Sequence, residues 1–234
     1  MSAPAIVRGG IIAAGDGSRL RAGGYTTPKA LVEVRGVPLI EAVIDNFTAA
    51  GIDRLVVIVN ERSRACVDWV GRRFPSLDVE FIVRTTRSSL ESFLAVSARL
   101  GDGPALVSTV DAWCRPADFV AFVEGARRRL PDGSVLALTP FVADEKPMWA
   151  SVDGDGRITR LGDGAGPLVT AGFYLFSAAA RADTPPDLPR LRDYLAWLAA
   201  RHPFYAEVIQ TVVDVDRPAD VAWAEAVAPR ERAP

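Results

Sequence analysis

The stretch IIAAGDGSRL at residues 11–20, followed by TTPKALVEVRGVPLI at residues 26–40, decides how the rest of the chain is read. An apolar run that suits a buried strand enters a glycine-rich turn holding Gly15, Gly17 and Arg19, and Lys29 follows after a short loop. Backbone N–H groups at such a turn, together with two cations, can converge on a polyphosphate. A GxGxx turn by itself also serves dinucleotide-binding folds and ordinary tight turns. Here Leu20 stands where the dinucleotide fingerprint needs its third glycine, and the second strand ends in Asn60 and Glu61, too far downstream for a ribose-binding acid. No GKS or GKT follows the glycines, which disfavours a Walker-type loop as well.

Working outward, short apolar runs alternate with amphipathic stretches, the pattern of a mostly parallel sheet flanked by helices. The first strand is expected over 7–14. Val37, Leu39, Ile40, Val43, Ile44 and Phe47 repeat at helical spacing and predict a helix ending near Gly51. Strands follow at 55–59 and 78–83, with helices through about Phe74 and from about Ser89 to Leu100. PALVSTVD at 104–111 reads as a buried strand whose carboxyl end delivers Asp111, the end at which open α/β sheets bind ligands. Beyond it come a helix at 117–130, a strand at 134–140, a hairpin at 148–162 turning at GDG, and a strand at 167–177. A helix at 189–201, a strand at 208–216 and a helix opened by Pro218 complete the pattern. The fold class expected is a three-layer α/β/α, Rossmann-like arrangement with a small β-hairpin lobe. It forms one domain over 1–228, with a nucleotide-binding half to about 115, an acceptor-binding half beyond it, and a disordered tail at 229–234.

Composition limits the partners. The 234 residues are 49% hydrophobic, enough for a full core, and the net charge of −2 is mixed along the chain. There is no basic footprint for nucleic acid or for an anionic membrane, so a free small molecule is the expected partner. Cys66 and Cys114 lack metal or disulfide-framework spacing, and no signal peptide or spanning segment is evident, which predicts a reduced, cytoplasmic protein. Only Lys29 and Lys146 among the 27 lysines and arginines are lysines, and both adjoin proline. A compact ammonium is not interchangeable with a guanidinium fork, so both are marked for attention, with an ordinary surface position the even alternative for Lys146. The single histidine, His202, lies beside Pro203 and reads as structural, so histidine triads and histidine metal sites are set aside.

GDGSRL, the Pro28–Lys29 pair and GVPLIEAVIDNFTAAGID together resemble the signature of the MobA-like and sugar-1-phosphate nucleotidyltransferases over roughly the first 60 residues. VDVDRPADVAWAEA near the end is similar to that family's terminal acidic strand and helix. The resemblance implies transfer of NMP from an NTP to a sugar phosphate or other small phosphorylated alcohol, with release of pyrophosphate and with Mg2+ as cofactor. The nucleophile is already anionic, so such a reaction needs positioning and charge neutralisation more than a general base.

Mg2+ takes oxygen ligands, usually one or two carboxylates plus substrate phosphate. The resemblance assigns Asp111 and Asp216 to the metal. Asp214 is the alternative to Asp216, Asp220 reads as a helix cap, and Thr109–Val110 replaces the family's asparagine–glycine before the first acid. Arg19 and Lys29 would neutralise the triphosphate, with Ser18 and Gly17 at the phosphates and Ala13, Ala14 and Gly15 offering backbone to base and ribose. Asp16 would repel phosphate and is expected to point outward or toward the ribose or metal shell. Ser88 and Ser89 occupy the place where the family reads the base, with helix capping as the equal alternative. Lys146, Trp149, Thr170, Gly172 and Tyr174 are the acceptor-side candidates, core packing being the alternative for the aromatics. An A-type glycosyltransferase using DVD at 214–216 and a non-catalytic nucleotide sensor are the competing functions. Base, acceptor and the formation of a homo-oligomer are left open.

Overall fold

The structure is a computed structural model that describes residues 8–141, 147–164 and 166–228. Lys146 and the tail at 229–234 lie outside them. In chain order the strands are β1 Gly9–Ala13, β2 Glu33–Val34, β3 Val37–Pro38, β4 Arg54–Val59, β5 Asp78–Val83, β6 Ala105–Thr109, β7 Ala112–Trp113, β8 Ser134–Thr139, β9 Trp149–Val152, β10 Ile158–Gly162, β11 Leu168–Phe176, β12 Phe204–Val208 and β13 Val213–Asp214. The helices are α1 Ser18–Ala22, α2 Leu39–Ala49, α3 Ala65–Arg73, α4 Ser89–Ser97, α5 Pro116–Arg129, α6 Ala178–Ala182, α7 Leu191–Ala199 and α8 Pro218–Val227.

The main sheet runs β10-β9-β11-β6-β1-β4-β5, with β8 joining β11 and β12. Its β6-β1-β4-β5 portion is parallel, and β11 enters antiparallel against β6, β8 and β9. After β5 the chain crosses back to place β6 on the other side of β1, so strand order reverses between β1 and β6. The carboxyl ends of those two strands therefore open a crevice, where this fold class binds its ligands.

Strands buried on both faces alternate their side chains between two cores. Ile11, Leu55, Val57 and Val59 face one side, covered by α2, α3, α5 and α8, while Ile12, Val56 and Ile58 face the other, covered by α4, α6 and α7. Buried aromatic side chains pack in both cores: Phe119 meets Phe173 edge-on at 5.2 Å, and Phe93 lies 5.0 Å from Phe176. These are the three layers expected from the sequence.

Three local readings are corrected. Val37 is not the first residue of α2: it pairs with Val34 in the β2–β3 ribbon, and the helix begins after Pro38, whose fixed φ suits a helix entry. The strand expected at 208–216 is divided. Its sheet portion lies earlier, as β12, because Phe204–Val208 pairs in parallel with β8, and only Val213 and Asp214 form a second, two-residue pairing with β7. The helix from Ser89 stops at Ser97 rather than near Leu100.

Candidate functional site

The crevice is built by three segments far apart in sequence. Past β1, Ala14–Gly17 loops out and Gly17, at φ 59°, starts α1. A Cβ on Gly17 would lie 2.9 Å from Lys29 Cβ, so this left-handed position also lets the lysine stem pack against the loop. Asp16 and Ser18 are exposed beside it.

Past β6, the N–H of Val110 donates to Ile12 O at 3.0 Å and holds the turn that presents Asp111. The Asp111 carbonyl accepts from Val215 N–H at 3.0 Å, which binds the third segment, β13, to the same place. Asp214 and Asp216 follow on that segment. The N–H groups of Asp216 and Arg217 donate to Asp220 Oδ2 at 3.0 and 2.7 Å, so Asp220 caps the start of α8.

The charges meet at Lys29. Its side chain is 7% exposed, and its Nζ donates to Asp111 Oδ2 at 2.6 Å and to Asp216 Oδ1. Arg19 holds the other Asp216 oxygen at 2.7 Å. Carboxylate oxygens of Asp111, Asp214 and Asp216 all lie within 4.8 Å of one another. Burial pulls the Lys29 ammonium toward deprotonation, but Asp111, Asp216 and Asp214 overcome it and raise its pKa above the ordinary lysine range. Burial raises Asp111 in turn, and the charge and hydrogen bond of Lys29 outweigh it and leave the carboxyl below its ordinary value. Lys29 and Asp111 thus hold each other in their charged forms at neutral pH. Three convergent carboxylates form an all-oxygen donor set, which suits a hard divalent cation such as Mg2+.

A cavity of about 380 Å³ opens beside the cluster. Arg19, Asp111 and Asp214 reach it from the charged side, and Phe141, Met148, Val169 and Leu195 supply apolar wall. Of the acceptor candidates, Thr170, Gly172 and Tyr174 line it; Trp149 does not, and its neighbour Met148 faces the cavity instead, as strand alternation requires. Gly172, at φ 78°, sits where the β11 register shifts between Thr170 and Tyr174. A Cβ there would lie 2.6 Å from Ala112 Cβ and 2.7 Å from Thr109 Oγ1, so the glycine lets β11 close over the Asp111 turn. Burial, followed by the charges of Asp111 and Asp214, pushes the Tyr174 hydroxyl above its ordinary range and keeps it protonated.

Ser88 Oγ accepts from Glu91 N–H at 3.2 Å and caps α4, whereas Ser89 Oγ accepts from Leu191 N–H at 3.2 Å and lines the cavity. Ala13 is buried at the end of β1, and Ala14 and Gly15 are progressively more open. His202 is not among the residues lining the cavity, and its Nε2 lies 2.9 Å from Asp183 Oδ2. Sequence reasoning passed over Arg190, Leu191 and Arg192, which reach the cavity from the start of α7. Their approach depends on α7 packing across α4, for which the chain carries no local signal.

The chain is similar to known proteins in sequence and in fold. The model of the MobA-like NTP transferase domain matches residues 9–163. The 2-aminoethylphosphonate cytidylyltransferase of Lancefieldella rimae is 29% identical over 188 residues, covering 79% of this chain and 70% of that protein. The N-acetylmuramate alpha-1-phosphate uridylyltransferase of Caulobacter vibrioides is 30% identical over 187 residues, covering 75% of this chain and 77% of that protein. Among solved structures, the inositol-1-phosphate CTP transferase from T. maritima superposes with a TM-score of 0.79 at 17% identity, over 95% of this chain and 96% of that one, which is a likeness of fold. None of the described helices is long and apolar enough to cross a membrane. With the family match spanning more than half of its length, the chain is a nucleotidyltransferase of the MobA-like NTP transferase family.

Proposed function

We propose that this chain transfers a nucleoside monophosphate from an NTP to a small acceptor bearing a phosphate or phosphonate, with Mg2+ as its cofactor. The observation that carries this reading is the shared ion cluster: Lys29 and Arg19 meet Asp111 and Asp216 at the mouth of a cavity, at the point where strand order reverses. The two relatives named above, one acting on a phosphonate and one on a sugar phosphate by their names, support the acceptor class.

In the reaction, an anionic oxygen of the acceptor bonds to the α-phosphorus as the bond from that phosphorus to the bridging oxygen breaks, and pyrophosphate leaves with the electron pair. No proton needs to be removed from the nucleophile. Arg19 and Lys29 take the role of neutralising the triphosphate and the leaving pyrophosphate. Gly17 and Ser18 bind phosphate, and Ala13, Ala14 and Gly15 border base and ribose. Ser89, at the cavity edge, takes the base-reading role ahead of Ser88, whose hydroxyl is engaged as a cap.

Asp111 and Asp216 are the proposed metal ligands, with Asp214 turned toward the acceptor cavity. When bound, Mg2+ supplies positive charge to the phosphate oxygens and orients them. Thr170, Gly172 and Tyr174 shape the acceptor side, to which Trp149 contributes by packing and Lys146 as a cation. The buried, unbridged Cys66 and Cys114 support a cytoplasmic site of action.

The test is pyrophosphate release from each of four NTPs with Mg2+, across 2-aminoethylphosphonate, sugar-1-phosphates and alcohol phosphates. Release with at least one pair is expected, and it should require both substrates. An NTP that binds with no release for any acceptor would replace this reading with a nucleotide-sensing one.

A further inference from the structure

Asn60 is 3% exposed and follows β4, directly beside the point where β1 gives way to the glycine-rich loop. The β1–β4 ladder ends at the Ala13–Val59 pair. Beyond it the Asn60 amide takes over the pairing: Nδ2 donates to Ala14 O at 3.2 Å and to Gly15 O at 3.1 Å, while Oδ1 accepts from Ser63 N–H at 2.8 Å. Both amide hydrogens thus hold two successive carbonyls, and the oxygen is anchored by the turn that follows.

Peptide geometry converts this into a statement about the loop's donors. In a trans peptide the C=O and the N–H of the same unit point in opposite directions, and the chain has no cis peptide among the described residues. Turning the Ala14 carbonyl inward turns the Gly15 N–H outward, and turning the Gly15 carbonyl inward does the same for Asp16. Among the described residues, neither of those N–H groups donates to a backbone carbonyl in the loops and turns. Two successive N–H groups presented on one side form an anion-binding concavity. A Cβ placed on Gly15 would meet no protein atom within 4 Å beyond its chain neighbours, so the space beside this residue is open to a ligand.

We propose that Asn60 is a positioning residue for nucleotide: it touches no substrate, and it fixes the peptide units 14–15 and 15–16 so that the N–H groups of Gly15 and Asp16 face the triphosphate. The inference rests on the NTP-binding reading above. Only an amide at this position offers two donors and one acceptor in a plane. An aspartate of the same shape offers no donor and sets a negative charge against two carbonyl oxygens, which drives both peptides to turn over.

The experiment compares wild type, Asn60→Asp and Asn60→Ser. Both variants should raise KM for NTP by about 10- to 100-fold, with Asn60→Asp the more severe, while kcat at saturating NTP falls by less than about fivefold; that span of KM corresponds to about 1.4–2.7 kcal/mol. Mn2+ affinity without nucleotide, read by electron paramagnetic resonance, should stay within about twofold, because the loop carbonyls are not part of the carboxylate cluster. A lower Tm with KM unchanged, or a fall confined to kcat, would overturn the proposal. On the wild type itself, the amide signals of Gly15 and Asp16 should move on addition of NTP and become protected from exchange, and unmoved signals overturn it without any variant. Wild type that binds no NTP removes the underlying reading and this proposal together, whereas wild type that binds NTP no better than Asn60→Asp overturns this proposal alone.

Discussion

Replacing Lys29 with methionine keeps the linear stem packed against Gly17 and deletes the charge at the centre of the site. The lysine side chain is 7% exposed, and its ammonium bonds to Asp111 at 2.6 Å and also holds Asp216. Removing one partner of a buried ion pair costs about 3–5 kcal/mol, because the other charge is left without compensation. Here the carboxylates retain 25% and 24% of their exposure, and Arg19 still bonds Asp216 at 2.7 Å. Solvent screening therefore lowers the expectation to about 2–3 kcal/mol. For a chain of this size that is a fall in Tm of roughly 4–12 °C, measured by scanning fluorimetry in EDTA.

Three carboxylates relieved of the ammonium take up a divalent cation more readily, so Mg2+ should raise the Tm of the variant more than that of wild type. Turnover should fall about a hundredfold or more, the scale of one lost transition-state charge partner. The sign with pH follows from the shifts. The raised Lys29 contributes fully below its unfolded pKa of about 10.4 and is lost as pH rises through the folded value; the lowered Asp111 contributes above about 3.9 and is lost as pH falls through its folded value. The contribution of the wild-type pair should thus be flat between about pH 5 and 9. Equal Tm values in EDTA, or a variant with undiminished turnover, would refute the reasoning.

Two further outcomes test the scaffold around the site. Gly172→Ala should lose about 1–3 kcal/mol to the positive φ and a similar amount to the collision with Ala112 and Thr109, whereas Gly24→Ala, at φ 97° in open space, should lose only the first part; equal losses in urea titrations would contradict the packing argument. Burial pushes the Cys66 thiol up to about 12, and burial with the nearby Asp118 pushes Cys114 higher still, so a thiol reagent at mildly alkaline pH should label neither until denaturant is added. Rapid labelling of the native chain would show that these sites open to solvent.

The parts of this protein legible in its sequence are those with short-range physical causes. The run at 55–59 is a strand because continuous apolar, β-branched residues have nowhere else to go in a chain of this size, and DVEFIV at 78–83, with polar residues alternating at its start, forms the strand at the end of the sheet beside it. Pro218 opens α8, and Gly17 adopts the left-handed conformation its turn demands. Val37 and the run after 208 were misread because apolar content does not say which neighbour a segment will pair with, and pairing with Val34, β8 and β7 settled them.

The same division applies to the site. The residue types needed for phosphate and metal chemistry are visible in order along the chain as Gly15, Gly17, Arg19, Lys29, Asp111 and Asp216. That Lys29 lies among the carboxylates rather than opposite them, that α7 borders the cavity, and that Asn60 holds the loop carbonyls across an interval of 46 residues depend on the reversal of strand order between β1 and β6. Sequence by itself determined the elements and the chemical inventory, because propensity, periodicity and turn chemistry act over a few residues. Only the tertiary structure decided which charges meet, because ion pairs and hydrogen bonds act over about 3 Å between groups that the chain separates by up to 197 positions.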